Sequence, residues 1–192
     1  MKLLHSLRLA TALALLIPAH TAFAETSPAT ETKPASTPWL YENSDVPVDQ
    51  SWTFGVLDNG LRYAVKRNIV PAGQVSIRVR VDAGALHEED NELGFAHLME
   101  HLAFRGSEHV PEGEAKRIWQ RFGVSFGSDS NAQTTPTQTV YKLDLPNSSP
   151  ATLDESLKIL AGMVRAPNIS ESALDAERAI VQAELRESAG AG

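Results

Sequence analysis

The most informative stretch of this sequence is GFAHLMEHLAFRG, residues 94–106. Its pattern predicts a helix from about Leu93 to Phe104, with Asp90 or Asn91 as the N-cap and Arg105-Gly106 at the end. Apart from three ionisable residues, the side chains of this helix are apolar in every direction. A helix that is apolar all round is usually buried, so this one is expected to lie inside the domain.

The three ionisable side chains fall on one side of the predicted helix. At 100° per residue, His97, Glu100 and His101 lie within an arc of about 100°. Burying them without partners would be costly, and a bound cation relieves that cost. Histidines at i and i+4 can offer two imidazole nitrogens to one metal ion, with Glu100 beside them to handle a water molecule. The alternative is that both histidines are hydrogen-bonded core residues.

A second predicted helix offers the third protein ligand that a catalytic zinc site usually has. Ser170 is expected to cap this helix, which runs to about Ser188. Its apolar stripe contains Glu177 and Glu184, and neither has a basic residue three or four positions away. One carboxylate is therefore expected to bind the metal and the other to support the site. The helical spacing alone does not separate the two roles.

The rest of the sequence predicts a mixture of strands and helices. A hairpin around Asn59-Gly60 is expected at 54–66, because Asn-Gly accepts the positive φ angles of a tight turn. The further predicted elements are a half-buried strand at 74–81, a short helix at 114–122, a strand pair at 124–129 and 137–145 with a bend or edge at 130–136, and an amphipathic helix at 150–164 whose apolar face holds Leu153, Leu157, Leu160 and Val164. This order favours an α+β fold, with a mainly antiparallel sheet packed with helices.

The N-terminus has the pattern of an export signal. Lys2 and Arg8 provide a positive start, Leu9 to Ile17 is a short apolar run, and Ala22-Phe23-Ala24 suits a signal peptidase. Cleavage is expected after Ala24. An uncleaved membrane anchor is the alternative, and the apolar run is too short to favour it.

These observations divide the chain into three parts. Residues 1–24 are interpreted as a signal peptide, 25–51 as a flexible leader rich in Pro, Thr and Ser, and 52–192 as the folded domain. The protein is therefore expected to be exported, either to a periplasm or out of the cell, with no stable membrane anchor after cleavage. The sequence contains no Cys, so no disulfides are expected.

Charge argues against one class of partner. Lys and Arg number 17 and Asp and Glu number 24, which gives a net charge of −7, and no run of basic residues stands out. Nucleic acid is therefore not expected as a partner.

Three segments of the chain resemble a known family. Residues 94–106 resemble the H-x-x-E-H helix of the pitrilysin/insulysin family of M16-type zinc peptidases, the inverzincins. Ser130 to Thr134, followed by Val140-Tyr141, resembles the family's substrate-side strand, and Glu177 to Glu184 resembles its ligand helix. The resemblance covers roughly Trp52 to Ser188, and three segments in the family's order are far more specific than a five-residue motif.

The resemblance implies roles for named residues. The zinc ligands would be His97, His101 and Glu184, holding one Zn²⁺ per chain. Glu100 would be the general base that takes a proton from a metal-activated water and passes it to the leaving amine. Glu177 would be the acidic neighbour that supports the site; the alternative is that Glu177 and Glu184 have each other's roles. Asn131 and Ala132 match positions that hold an extended peptide at a sheet edge; Asn131 is alternatively a turn residue.

The resemblance also implies an architecture and a function. The expected fold is one half of a clamshell chamber of the LuxS/processing-peptidase type, with the second half in a longer chain or in a partner subunit. Since the sequence ends soon after the predicted ligand helix, truncation is expected. The implied function is that of a zinc-dependent endopeptidase or oligopeptidase acting on peptides or small proteins. The alternatives are a non-catalytic peptide-binding or assembly subunit, a metal-binding fragment that is inactive alone, and a divalent ion other than zinc.

Overall fold

The structure is a computed structural model, and it describes residue 39 and residues 41–190. The predicted signal peptide lies outside the described residues, as does most of the predicted leader. The chain divides into two compact units, one ending at Val65 and the other beginning at Lys66. The domain start at residue 52 stays a prediction.

The first unit contains the predicted hairpin. Strands β1 (Trp52–Val56) and β2 (Arg62–Lys66) pair with each other, and Gly60 in the connecting turn has a φ of 87°. Two aromatic residues of the predicted leader, Trp39 and Tyr41, contact the ring of Phe54, with ring centroids 5.0 and 4.9 Å away. The end of the leader thus packs on the hairpin.

The second unit is built on a three-stranded antiparallel sheet. Its strands are β3 (Val75–Val81), β4 (Ser130–Thr134) and β5 (Thr139–Leu145), in the order β3-β5-β4. The α+β fold with an antiparallel sheet is therefore confirmed.

One predicted strand is wrong. The segment 124–129 forms a turn, and β4 instead begins at Ser130, inside the segment predicted to be a bend or edge. The turn forms because Gly127 adopts a φ of 91° and the Asp129 carboxylate accepts a hydrogen bond from the Ser125 amide at 2.8 Å.

Four α-helices surround this sheet in the described part of the chain. They are α1 (Phe95–Ala103), α2 (Glu114–Arg121), α3 (Pro150–Arg165) and α4 (Glu171–Gly190), and a 3₁₀ turn (Ala85–His87) precedes α1. Ser170 Oγ accepts a hydrogen bond from the Ala173 amide at 3.1 Å, so the predicted cap of α4 is confirmed. Within the described residues, no helix combines the length and the apolar character needed to cross a membrane.

The core lies between the sheet and the helices. Its buried side chains include those of Trp119, Leu143, Leu145, Ile159 and Met163. The predicted face of α3 is partly wrong: Leu160 is buried and Leu153 packs against the core, but Leu157 and Val164 are exposed. The buried positions of α3 also include the small residues Ser156 and Gly162, which a count of large apolar side chains does not reveal.

Candidate metal centre

The start of α1 is held by a residue outside the helix. Gly94 is the N-cap residue, with a φ of 93°, and no side chain of its own caps the helix. Glu88 supplies the cap instead, because its carboxylate accepts hydrogen bonds from the amides of Gly94 at 2.8 Å and Ala96 at 2.7 Å. The predicted cap at Asp90 or Asn91 is therefore wrong. A carboxylate at this end also complements the positive end of the helix dipole.

Three of the predicted site residues come together where α1 packs against α4. Glu184 Oε2 lies 3.2 Å from His97 Nε2 and 3.5 Å from His101 Nε2. One ligand atom from each of these residues lies within 4.8 Å of the others. A tetrahedral zinc ion with bonds of about 2.0–2.1 Å places its ligand atoms about 3.3 Å apart. The spacing and the donor set, two imidazoles and a carboxylate, therefore fit a zinc ion.

Glu177 approaches the site from the other side of the His101 ring. Its Oε2 lies 3.1 Å from His101 Nδ1, and its Oε1 lies 3.5 Å from Arg105 Nη1. The sequence predicts both carboxylates on a buried stripe of α4, and this holds for only one of them. The side chain of Glu177 is 10% exposed and that of Glu184 is 46% exposed, because α4 turns part of this stripe toward solvent.

Glu100 lies beside the histidines and is buried. Thr134 Oγ1 donates a hydrogen bond to Glu100 Oε2 at 2.5 Å. Thr134 is in turn 3.4 Å from the hydroxyl of Thr139, which donates to the Ala83 carbonyl at 2.9 Å. Burial, with a further contribution from the negative charge of Glu100, raises the pKa of Tyr141 to about 12, so this hydroxyl stays protonated at neutral pH. Glu100 is thus fixed by a hydroxyl that belongs to β4.

Asn131 and Ala132 lie in β4, an edge strand of the described sheet, so Asn131 is not a turn residue here. Bonding to β5 alternates along an antiparallel strand. The Asp129 carbonyl accepts a hydrogen bond from the Asp144 amide of β5. Residues 131 and 133 are two and four positions further along, so their backbone groups also face β5. Ala132 therefore turns its backbone N–H and C=O away from β5. The Ala132 amide donates to Asn131 Oδ1 at 2.9 Å.

A cavity of about 440 Å³ adjoins these residues. Glu100, His101, Glu177 and Asn131 are among the residues that line it. Phe104 and Phe126 provide apolar walls. The cavity thus lies beside His101, Glu100 and Asn131, whereas His97 and Glu184 are not among the residues that line it.

The sequence did not identify three residues that the structure places around the site: Glu88, Arg105 and Thr134. Arg105 could have been found from spacing. It lies four residues after His101, which would place it on the same side as His101 if the helix continued through it. Glu88 and Thr134 act across gaps of 8 and 34 residues. No local pattern indicates such contacts.

The fold and the site define a metallopeptidase class, and sequence comparison gives its name. The family "Insulinase (Peptidase family M16)" matches residues 63–190, so the chain belongs to this family. This agrees with the resemblance deduced from the sequence.

The relatives of this chain include proteins named as zinc proteases. A probable zinc protease, PqqL of Escherichia coli (strain K12), is 36% identical over 141 residues, covering 73% of this chain and 15% of that protein. The PqqL protein of Haemophilus influenzae is 35% identical over 147 residues, covering 77% of this chain and 16% of that protein. The crystal structure of the first half of the periplasmic protease PqqL from Escherichia coli has a TM-score of 0.70 at 35% identity, covering 74% of this chain and 30% of that chain. The chain therefore spans only a small part of the length of these relatives.

Proposed function

We propose that this chain is the metal-binding part of an exported zinc-dependent endopeptidase or oligopeptidase. The observation that carries the proposal is the convergence of one ligand atom each from His97, His101 and Glu184 within 4.8 Å. His97, His101 and Glu184 would hold one Zn²⁺. When bound, zinc lowers the pKa of water and polarises a carbonyl group. Membership in the M16 family and the similarity to proteins named as zinc proteases support this function.

Glu100 is the proposed general base. It lies on α1, between the two histidines in the sequence, and its Oε2 accepts a hydrogen bond from the Thr134 hydroxyl. That bond holds one carboxylate oxygen and leaves the other to take a proton from the attacking water. The same carboxyl group then donates the proton to the leaving amine, which restores the ionised base.

Glu177 is proposed to orient His101. A carboxylate that accepts the Nδ1–H of a histidine leaves Nε2 deprotonated and aimed at the metal. The distance of 3.1 Å between Glu177 Oε2 and His101 Nδ1 supports this role. The approach of Glu184 to both Nε2 atoms supports its assignment as the ligand rather than Glu177.

An extended peptide is the proposed substrate, with Asn131 and Ala132 as residues that hold it. A peptide strand added to β4 would bond to the backbone groups of Ala132 that face away from β5. Ala132 and Thr134 are two residues apart, so this point of attachment is about 7 Å along the strand from the hydroxyl that bonds Glu100. Asn131 Oδ1 already accepts the Ala132 amide and would release it to the substrate.

The second candidate differs in the activity of this chain by itself: the chain binds the metal but is inactive alone, and peptides are cleaved only when another part of the protein is present. It is favoured by the coverage of only 15% and 16% of the relatives' length. The partner would be the second half of the clamshell, in the same longer chain or in a separate subunit. Location in a periplasm is proposed from the export pattern and from the relative described as a periplasmic protease.

The test combines metal analysis with peptide turnover in the purified 192-residue chain. We expect about one zinc per chain, the usual stoichiometry of such a centre. Glu100→Gln should keep the zinc and abolish hydrolysis of a fluorogenic extended peptide. His109→Ala is a matched control, since His109 is exposed and lies outside the site. Absence of zinc from the wild type, or full turnover in Glu100→Gln, would contradict the proposal. Zinc without turnover in the wild type would support the fragment.

A further inference from the structure

Arg105 lies beside the metal-binding residues but has no role in the function proposed above. It follows the C-terminal end of α1, four residues after His101. Its guanidinium contacts two carboxylates from different parts of the chain. Nη2 lies 2.7 Å from Glu112 Oε1, and Nη1 lies 3.5 Å from Glu177 Oε1. The other oxygen of Glu177 lies 3.1 Å from His101 Nδ1.

Glu177 needs a cation because its side chain is only 10% exposed. A buried carboxylate without a compensating charge is strongly unfavourable. Its own helix provides none, since no Lys or Arg lies three or four residues from Glu177. Among the described residues, Arg105 is the only Lys or Arg with an ion pair to Glu177. Both carboxylate oxygens are thus occupied by different partners, which fixes the rotation of the group.

Arg105 is itself held by its surroundings. Its amide donates to the Leu102 carbonyl at 3.0 Å, and its carbonyl accepts from the Gly113 amide at 2.8 Å. The segment between Arg105 and Gly113 folds back on itself so closely that a Cβ on Gly106 would lie 3.0 Å from the Glu112 amide nitrogen. This close return brings the Glu112 carboxylate to the guanidinium. The position of Arg105 is therefore set independently of Glu177.

We propose that Arg105 is a positioning residue of the metal site. It holds Glu177 Oε1 so that Oε2 remains directed at His101 Nδ1, and it thereby acts on metal binding through Glu177. This inference rests on the zinc site proposed above. The competing explanation is that Arg105 only ties the end of α1 to Glu112 and stabilises the fold.

Zinc affinity of the full chain separates these explanations. The dissociation constant is measured by competition with a chromophoric chelator, in wild type, Arg105→Met, Glu177→Met and the double variant. Loss of a partner that orients a metal-binding histidine weakens metal affinity by about 10–100-fold. We expect Arg105→Met to weaken zinc binding by about tenfold in the wild-type background. In the Glu177→Met background it should have no further effect, because the residue through which it acts is gone.

Glu112→Gln is the matched control for a purely structural role. It removes the negative charge from the 2.7 Å pair but keeps an oxygen that can accept from the guanidinium, and it leaves the contact between Arg105 and Glu177 in place. We expect its zinc affinity to equal that of the wild type. If Arg105→Met does not fold, Arg105→Lys takes its place in both backgrounds. A smaller loss is then expected, because the ammonium group keeps the positive charge although it does not reach both carboxylates.

Each outcome bears on the inference. An unchanged dissociation constant in the Arg105 variant overturns it. Equal weakening by the Arg105 variant and Glu112→Gln overturns it, as does a loss that persists in the Glu177→Met background. A wild-type chain that binds no zinc overturns the proposed metal site and this inference with it, whereas failure of the inference alone leaves wild-type zinc binding intact.

Discussion

The exchange of Glu184 for Gln tests most directly which carboxylate of α4 binds the metal. Glutamine keeps the size of the side chain but removes the negative charge. Glu184 Oε2 lies 3.2 and 3.5 Å from the two Nε2 atoms, where it would complete a set of three ligands. Glu177 instead meets His101 at Nδ1, on the side of the ring away from the Nε2 atoms.

The geometry predicts different magnitudes for the two exchanges. Zinc binding by four-ligand peptide sites contributes about 10–16 kcal/mol, so one ligand contributes about 3 kcal/mol. Glu184→Gln should therefore raise the zinc dissociation constant by about a hundredfold. Glu177→Gln retains an oxygen that accepts the Nδ1–H, and its effect should be about tenfold at most.

The assay is chelator competition at fixed pH, with circular dichroism to verify that each variant is folded. Glu187→Gln is the matched control, because it makes the same charge change on the same helix at an exposed position outside the metal-binding group. Its dissociation constant should equal that of the wild type. A larger effect of Glu177→Gln than of Glu184→Gln would refute the reasoning and exchange the two roles. Equal effects of Glu184→Gln and Glu187→Gln would show that only the overall charge of the helix matters.

Three further predictions concern the surroundings of the site. If Glu100 is the general base as proposed, Thr134→Val should lower kcat of the active form of the protein about tenfold by removing the hydrogen bond to Glu100, while Thr134→Ser retains activity; equal rates in both variants would contradict this. Burial raises the pKa of Asp144, but hydrogen bonds led by that from Arg78 outweigh it and lower the pKa to about 2, so the ionised group stabilises the fold above pH 4 and this contribution is lost as the pH falls toward 2. Asp144→Asn should therefore cost about 1 kcal/mol of unfolding free energy at pH 7 after allowance for solvent screening, and urea titrations should show the difference shrinking toward pH 2. Gly84→Ala should cost about 2 kcal/mol by the same titrations, because its Cβ would overlap the Thr135 carbonyl oxygen, and a neutral effect would refute this.

The sequence predicts the site best where the residue pattern within a single helix is sufficient. In α1, His97, Glu100 and His101 are the ionisable residues of an otherwise apolar helix, so periodicity alone placed them on one side. The cap of α4 at Ser170 was equally local. The choice between Glu177 and Glu184 cannot be made from a local pattern, because both residues lie on one stripe of α4. Only the approach of α1 distinguishes an oxygen near Nε2 from an oxygen near Nδ1.

The pattern of apolar residues missed β4 for a related reason, although the family resemblance placed a strand at Ser130 to Thr134. Ser130 to Thr134 has the sequence SNAQT, which shows no alternation of apolar and polar residues. This segment becomes a strand because β5 pairs with it, and that pairing is a tertiary interaction. The neighbouring segment 124–129 contains Val124 and Phe126, which resemble a strand, but Gly127 turns the chain before a strand can form. Propensity identified the right region and placed the strand one segment too early.

The edge position of β4 has a consequence for how a substrate protein would be attacked. A polypeptide that pairs with this strand contributes its own amides and carbonyls, which are the groups already used inside its native helices and sheets. Under the proposed function, it would have to unfold locally before it could be bound, and its rate of cleavage would be limited by how often that segment opens. Resistance of a protein to the proposed peptidase activity would then depend on the stability of its folded state more than on its amino-acid sequence.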